Sequence, residues 1–136
     1  TEKTLRELVG EKAPVSVQNP LDLTTFGFQG EILVAAIEAL MADPAIDVLL
    51  AMIPIHPNYP FPFNKIPEIQ TRNGKPIILY WAVQDFLTED LREKQAELQN
   101  HKVSVFLMPE QAAWGVGYLV QYARVRNRMA TPEAVS

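Results

Sequence analysis

The segment from Asn19 to Gly30 has the residue types of an anion-binding corner. Asn19, Asp22, Thr24 and Thr25 are polar, and Gly27 and Gly30 let backbone N–H groups approach a ligand. A strong helix follows directly, and its positive end adds attraction for a phosphate. The same residues also fit a plainer role, in which Asn19 and Asp22 form an Asx turn and a cap that fix a strand-to-helix corner. Three further polar residues, His56, Asn58 and Gln84, sit in loops that follow apolar runs. They are weaker candidates, because no Asp or Glu shares the loop of His56 to orient its ring as a general base requires.

Other groupings carry no specific chemistry. With two histidines, no cysteine and no ligand-spaced cluster, neither a metal site nor thiolate catalysis is expected. Asp85, Glu89 and Asp90 read as a solvated, dipole-matched helix start rather than a phosphoacceptor cluster, since the preceding apolar run ends Met52-Ile53-Pro54 without an acid. Gly115 and Gly117 lie within a helical pattern, where close packing on a sheet explains them better than a dinucleotide loop. No residue is assigned a catalytic role.

The elements that would position the corner alternate along the chain. A short helix over residues 1–8 leads in and ends at Gly10 and Pro14. Val15 to Gln18 is a brief β-branched run, and Gln29 to Ala42 carries Ile32, Leu33, Ala36, Ile37, Leu40 and Met41 at the spacing of one helical face. Val48 to Ile53 is continuously apolar, the pattern of a central strand covered on both faces. Residues 54–67 hold five of the eleven prolines, so any helix between Phe63 and Arg72 is short and interrupted at Pro67. The aromatic run Tyr59-Pro60-Phe61-Pro62-Phe63 would pack on a partner domain or cover a sheet edge.

Asn73-Gly74-Lys75-Pro76 turns into a strand over Ile77 to Trp81, and Thr88 opens a surface helix to Asn100. A strand over Val103 to Leu107 follows, and Pro109 starts a last helix that runs past Ala123. Strands alternating with helices imply right-handed crossovers and an α/β fold. The expected architecture is a three-layer flavodoxin-like domain with a mostly parallel sheet of four or five strands. In such a sheet ligands bind beyond the carboxyl ends of the strands, which selects the loops at 19–27, 54–58, 82–85 and 108–110.

Composition narrows the function. The chain has 136 residues, the size of one domain. Its net charge of −4 argues against a duplex nucleic-acid binder, which needs a basic face. No apolar run is long enough to span a membrane. The lack of cysteine fits a cytoplasmic protein, and Thr1 in place of Met suggests a piece of a longer chain.

Asn19-Pro20-Leu21-Asp22-Leu23-Thr24 resembles the opening of the succinyl-CoA-synthetase-like ligase domain of NDP-forming (ADP-forming) acyl-CoA synthetases. The resemblance continues in order through Ala36 to Leu40, Asp43 to Ile53, Gly74-Lys75-Pro76-Ile77 to Trp81, and Met108-Pro109-Glu110-Gln111-Ala112. It implies a domain over 15–128, with 1–14 as lead-in helix and linker and 129–136 as a tail. It implies a parent acid–thiol ligase that turns an acid, CoA and ATP into acyl-CoA, ADP and phosphate, using Mg. This domain would bind no cofactor and have no activity alone. It would help hold the phosphate intermediate at the corner, beside CoA-binding, phosphohistidine and ATP-grasp domains of the parent. Two departures are Ala82-Val83-Gln84-Asp85 after the third expected strand, where small residues or glycine are usual, and the proline- and aromatic-rich loop after the second. They leave a second reading open, a catalytically inert interaction or regulatory module. A free-standing flavin or nucleotide binder fits less well, since the first loop lacks a Ser/Thr-rich phosphate cradle.

Overall fold

A computed structural model describes residues 1–10, 13–83 and 87–130. Its elements run α1 (Glu2–Val9), a 3-10 turn (Thr24–Phe28), α2 (Gly30–Met41), β1 (Leu49–Ile55), α3 (Lys65–Asn73), β2 (Ile77–Val83), α4 (Glu89–Asn100), β3 (Ser104–Phe106) and α5 (Pro109–Ala130). The three strands form one parallel sheet in the order β1-β2-β3. The α/β class and the parallel sheet are thus as the sequence implies, flanked by helices in the manner of a flavodoxin-like domain.

Alternation along the strands decides what each face buries. Ala51 and Ile53 of β1 stand beside Leu79 and Trp81 of β2, and Leu79 stands beside Val105 of β3. With Ile77 and Val103 these form one core, closed by Val34, Ile37 and Met41 of α2, Ile66 and Ile69 of α3, and Leu98 of α4. Each fully buried Ile or Leu there contributes on the order of 2 kcal/mol. Leu98 is the one buried residue of α4, as its thin apolar stripe predicts. On the opposite face α5 packs against Ile78 and Phe106, which lie close to Gly115. Much of the outer side of α5 stays open, with Trp114, Tyr118, Tyr122 and Met129 all exposed.

Two expectations about strands need correction. Val15 to Gln18 does not join the sheet, which has three strands among the described residues. Ser16 and Asp22 instead exchange both backbone hydrogen bonds, at 3.0 and 2.9 Å, and close a tight local loop. This leaves Val15 and Leu23 buried with Leu5 and Val9 of α1 and Ala36 of α2 in a second, smaller cluster. Nor is β1 central. It lies at the sheet edge, and Leu50 and Met52 are 43% and 60% exposed. An unbroken apolar run cannot by itself distinguish these positions. Pro54 can, because a residue without an N–H is tolerated where no neighbouring strand needs the donor.

Pro67 does not interrupt α3. It sits in the first helical turn, where its N–H would have had no partner. Gln70 then ties α3 to β2 and to the turn before β3: its amide oxygen accepts the Ile77 N–H at 2.8 Å, and its amide nitrogen donates to the Lys102 carbonyl at 3.2 Å. Lys75 Nζ donates to the carbonyls of Met41 and Asp43, at 2.9 and 2.6 Å, closing the end of α2. Ion pairs Lys65–Glu31 and Arg72–Glu38 join α2 to α3 at the surface.

The proline-rich loop packs inward. Phe63 lies 5.0 Å from Trp81 and 4.9 Å from Phe61 between ring centroids. A methyl group on Gly30 would come within 2.5 Å of the Pro60 carbonyl oxygen, so this loop requires glycine at the start of α2. Gly117, in contrast, faces open space. Gly30→Ala should therefore lower stability by about 1–3 kcal/mol. Gly117→Ala should raise it by roughly 0.5–1 kcal/mol through helix propensity. Urea denaturation of the two variants against the parent chain checks both signs.

Candidate functional site

The corner from Asn19 to Gly27 is organised by Asp22. Its backbone bonds Ser16 on both sides, and its carboxylate oxygen Oδ1 accepts the Thr24 N–H at 2.8 Å. That is the Asx turn anticipated as the plainer role of these residues. It carries the chain into the 3-10 turn, where Leu23 and Phe26 carbonyls accept the Phe26 and Gln29 N–H groups. Thr24 is held at φ 51°, a left-handed conformation costly for a β-branched residue. Asn19 precedes a cis peptide bond to Pro20 and is exposed.

Asn19, Asp22, Thr24 and Gly27 line one cleft of about 840 Å3, and Thr25 is exposed outside its lining. Leu33, Ala36 and Leu40 of α2 form its inner side, Leu50 and Met52 lie along β1, and Ala113 and Val116 of α5 reach it from the far face of the sheet. Thr1, Glu2 and Asp43 complete its lower end. The sequence did not point to these last three, because they meet the corner only through the packing of α1 on α2. Pro54, which marks the free edge of β1, was the available signal.

The cleft is acidic. Glu2, Asp22 and Asp43 line it, and no Lys, Arg or His does among the described residues. Asp43 accepts hydrogen bonds from the Thr1 hydroxyl and, at 2.9 Å, from the Ala45 N–H. The Thr1 hydroxyl first, then the Ala45 N–H, hold its carboxyl below the usual carboxylate range.

The weaker candidates fall elsewhere. His56 follows β1, and its Nδ1 accepts the Asn58 N–H at 3.1 Å while its ring lies 5.1 Å from that of Tyr59. Tyr59 in turn lies 5.0 Å from Phe28. His56 and Asn58 therefore join the second loop to the 3-10 turn at the carboxyl edge of the sheet, outside the cleft lining. Gln84 lies outside the described residues. Among those residues, no group of three His, Asp or Glu side chains is placed to hold a metal ion, and no helix is long and apolar enough to cross a membrane.

Two outcomes follow from this geometry. Thr24→Gly removes the left-handed strain and should raise stability by about 0.5–1 kcal/mol in urea denaturation, net of the added backbone freedom. Asp43 has a lowered folded-state pKa, so its contribution is present above the unfolded carboxyl value and is lost as pH falls through the folded one. Asp43→Asn should accordingly melt at a lower temperature than the parent chain at pH 7, with the gap closing as pH falls below the ordinary carboxylate range.

No family model matches the chain, and no curated protein matches it. Two solved structures do, both of the dinucleotide forming acetyl-coenzyme A synthetase 1 of Ca. Korarchaeum cryptofilum. The apo form superposes with a TM-score of 0.72 at 20% identity, and the complex with phosphate and ADP with 0.71 at 19%. Each match covers 98% of this chain and 29% of the synthetase. The chain therefore shares the fold of one segment of an acetyl-coenzyme A synthetase less than a third of that enzyme's length, in line with the resemblance that begins at Asn19.

Proposed function

We propose that the chain is a non-autonomous domain of an NDP-forming acyl-CoA synthetase, whose parent enzyme joins a carboxylic acid to CoA with conversion of ATP to ADP and phosphate. The observation that carries this reading is the superposition of almost the entire chain on a synthetase segment, together with sequence blocks in the same family's order. The matching synthetase was solved with phosphate and ADP. Much larger than this chain, it supports a parent with further domains. We assign those the roles of CoA binding, phosphohistidine transfer and ATP-grasp nucleotide binding, with Mg.

Within that assembly the corner at residues 19–27 would contact the phosphate of the intermediate. The Asx turn narrows how. Asp22 shapes the loop and brings negative charge, so the attraction must come from backbone N–H groups near Thr25 and Gly27 and from the exposed amide of Asn19. Further positive charge has to be supplied by a neighbouring domain, since no Lys, Arg or His side chain lines the described cleft. The alternative, an inert interaction module, is favoured by the same lack of cationic side chains and differs in one outcome.

In the full-length parent, Asn19→Ala should lower acyl-CoA formation by about tenfold, the loss of one hydrogen bond to a charged group. Asp22→Asn should preserve both the turn and turnover, because the amide oxygen still accepts the Thr24 N–H. Unchanged turnover in Asn19→Ala would remove the corner from the chemistry and favour the interaction module.

A further inference from the structure

The free edge of β1 carries a second kind of site. The Leu49 N–H bonds the Pro76 carbonyl on the β2 side. In a parallel pair alternate residues bond the same neighbour, so Leu49, Ala51 and Ile53 face β2, while Leu50 and Met52 direct their N–H and C=O groups outward. No strand takes them up among the described residues. Pro54 has no N–H to offer and ends the ladder.

Room lies directly beside this edge. The cleft of about 840 Å3 borders residues 48–52 and Pro54, with the loop at residues 17–24 as its opposite wall. Its size is within the range of ligand clefts, and seven residues of strand extend about 20 Å. This is the space a fourth strand would occupy had Val15 to Gln18 joined the sheet instead of closing on Asp22.

Charge selects the occupant. A second copy pairing through the same edge would bring two sets of Glu2, Asp22 and Asp43 face to face, three carboxylates against one α-amino group at Thr1 in each copy, and the surplus of like charge opposes that contact. A basic segment meets the opposite sign. We propose that the groove along β1 accepts an extended, basic polypeptide segment as an added strand, hydrogen-bonded to the backbone of Leu50 and Met52. The inference rests on the sheet edge and its charge, and stands or falls apart from the ligase reading.

The test uses the whole 136-residue chain, 15N-labelled, and three acetylated hexapeptide probes. One alternates Val and Lys, one alternates Val and Glu, and one is the Val/Lys sequence with every backbone amide N-methylated. The Val/Lys probe should bind by fluorescence anisotropy and slow amide hydrogen exchange at Leu50 and Met52, leaving Ala51 unchanged. Binding should weaken by about fivefold to tenfold in Glu2→Gln/Asp22→Asn, the worth of two exposed charge pairs, and should weaken as salt rises. The Val/Glu and N-methylated probes should bind at least about tenfold more weakly. Equal binding of Val/Lys and Val/Glu, or binding that leaves Leu50 and Met52 exchange unaltered, overturns the proposal. So does a concentration-dependent dimer in sedimentation that itself protects those two amides.

Discussion

The parallel sheet of this chain has two faces, and they are covered unequally. One face lies beneath α2, α3 and α4 and buries Ile53, Leu79 and Trp81 completely. The other has α5 alone among the described residues, which seats Gly115 against Phe106 and Ile78 but leaves Leu50 and Met52 in the open. Parallel sheets are stable when both faces are shielded, so this asymmetry governs what remains available at the surface. The exposed side of α5 arises on the under-covered side, and the cleft runs along the free edge of β1 between α2 and α5. The buried face gives the domain its stability, and the open one gives it the capacity to meet other molecules.

Much of this was legible from residue patterns, and the exceptions have specific causes. The wide apolar face of α2, the turn through Gly74 into β2, Thr88 before α4 and Pro109 at the head of α5 are local signals, and each element formed where its signal lay. The edge position of β1 was not read from its apolar run, because hydrophobic side chains on both faces look alike whether the second face is covered by a helix or left bare. The fate of Val15 to Gln18 depended on a bridge between Ser16 and Asp22, a choice between two hydrogen-bonding partners for the same backbone. Propensity is silent on such a choice. Half of the corner was readable: Asp22 makes the Asx turn its type suggests, whereas the walls contributed by Glu2 and Asp43 come from residues brought together only by tertiary packing.

The corner also shows how a shared fold and a differing surface coexist. The chain superposes on nearly its whole length with a synthetase segment at about one-fifth identity, so the backbone frame is retained while most side chains have changed. Fold alone does not fix chemistry. In this chain the loop after β1 has rings that reach both inward, from Phe63 to Trp81, and sideways, from Tyr59 to Phe28. Those contacts clamp the second loop to the first at the carboxyl edge of the sheet.

One helix stands between the two hydrophobic clusters. α2 sends Val34, Ile37 and Met41 into the large core and Ala36 into the small one, and Leu33 packs against both. It acts as a partition wall held from two sides. The N-terminal helix consequently cannot peel away without stripping one surface of that wall, and the sheet cannot loosen without freeing the other. Residues that look peripheral in the chain are in this way drawn into the same cooperative melting unit as the strands.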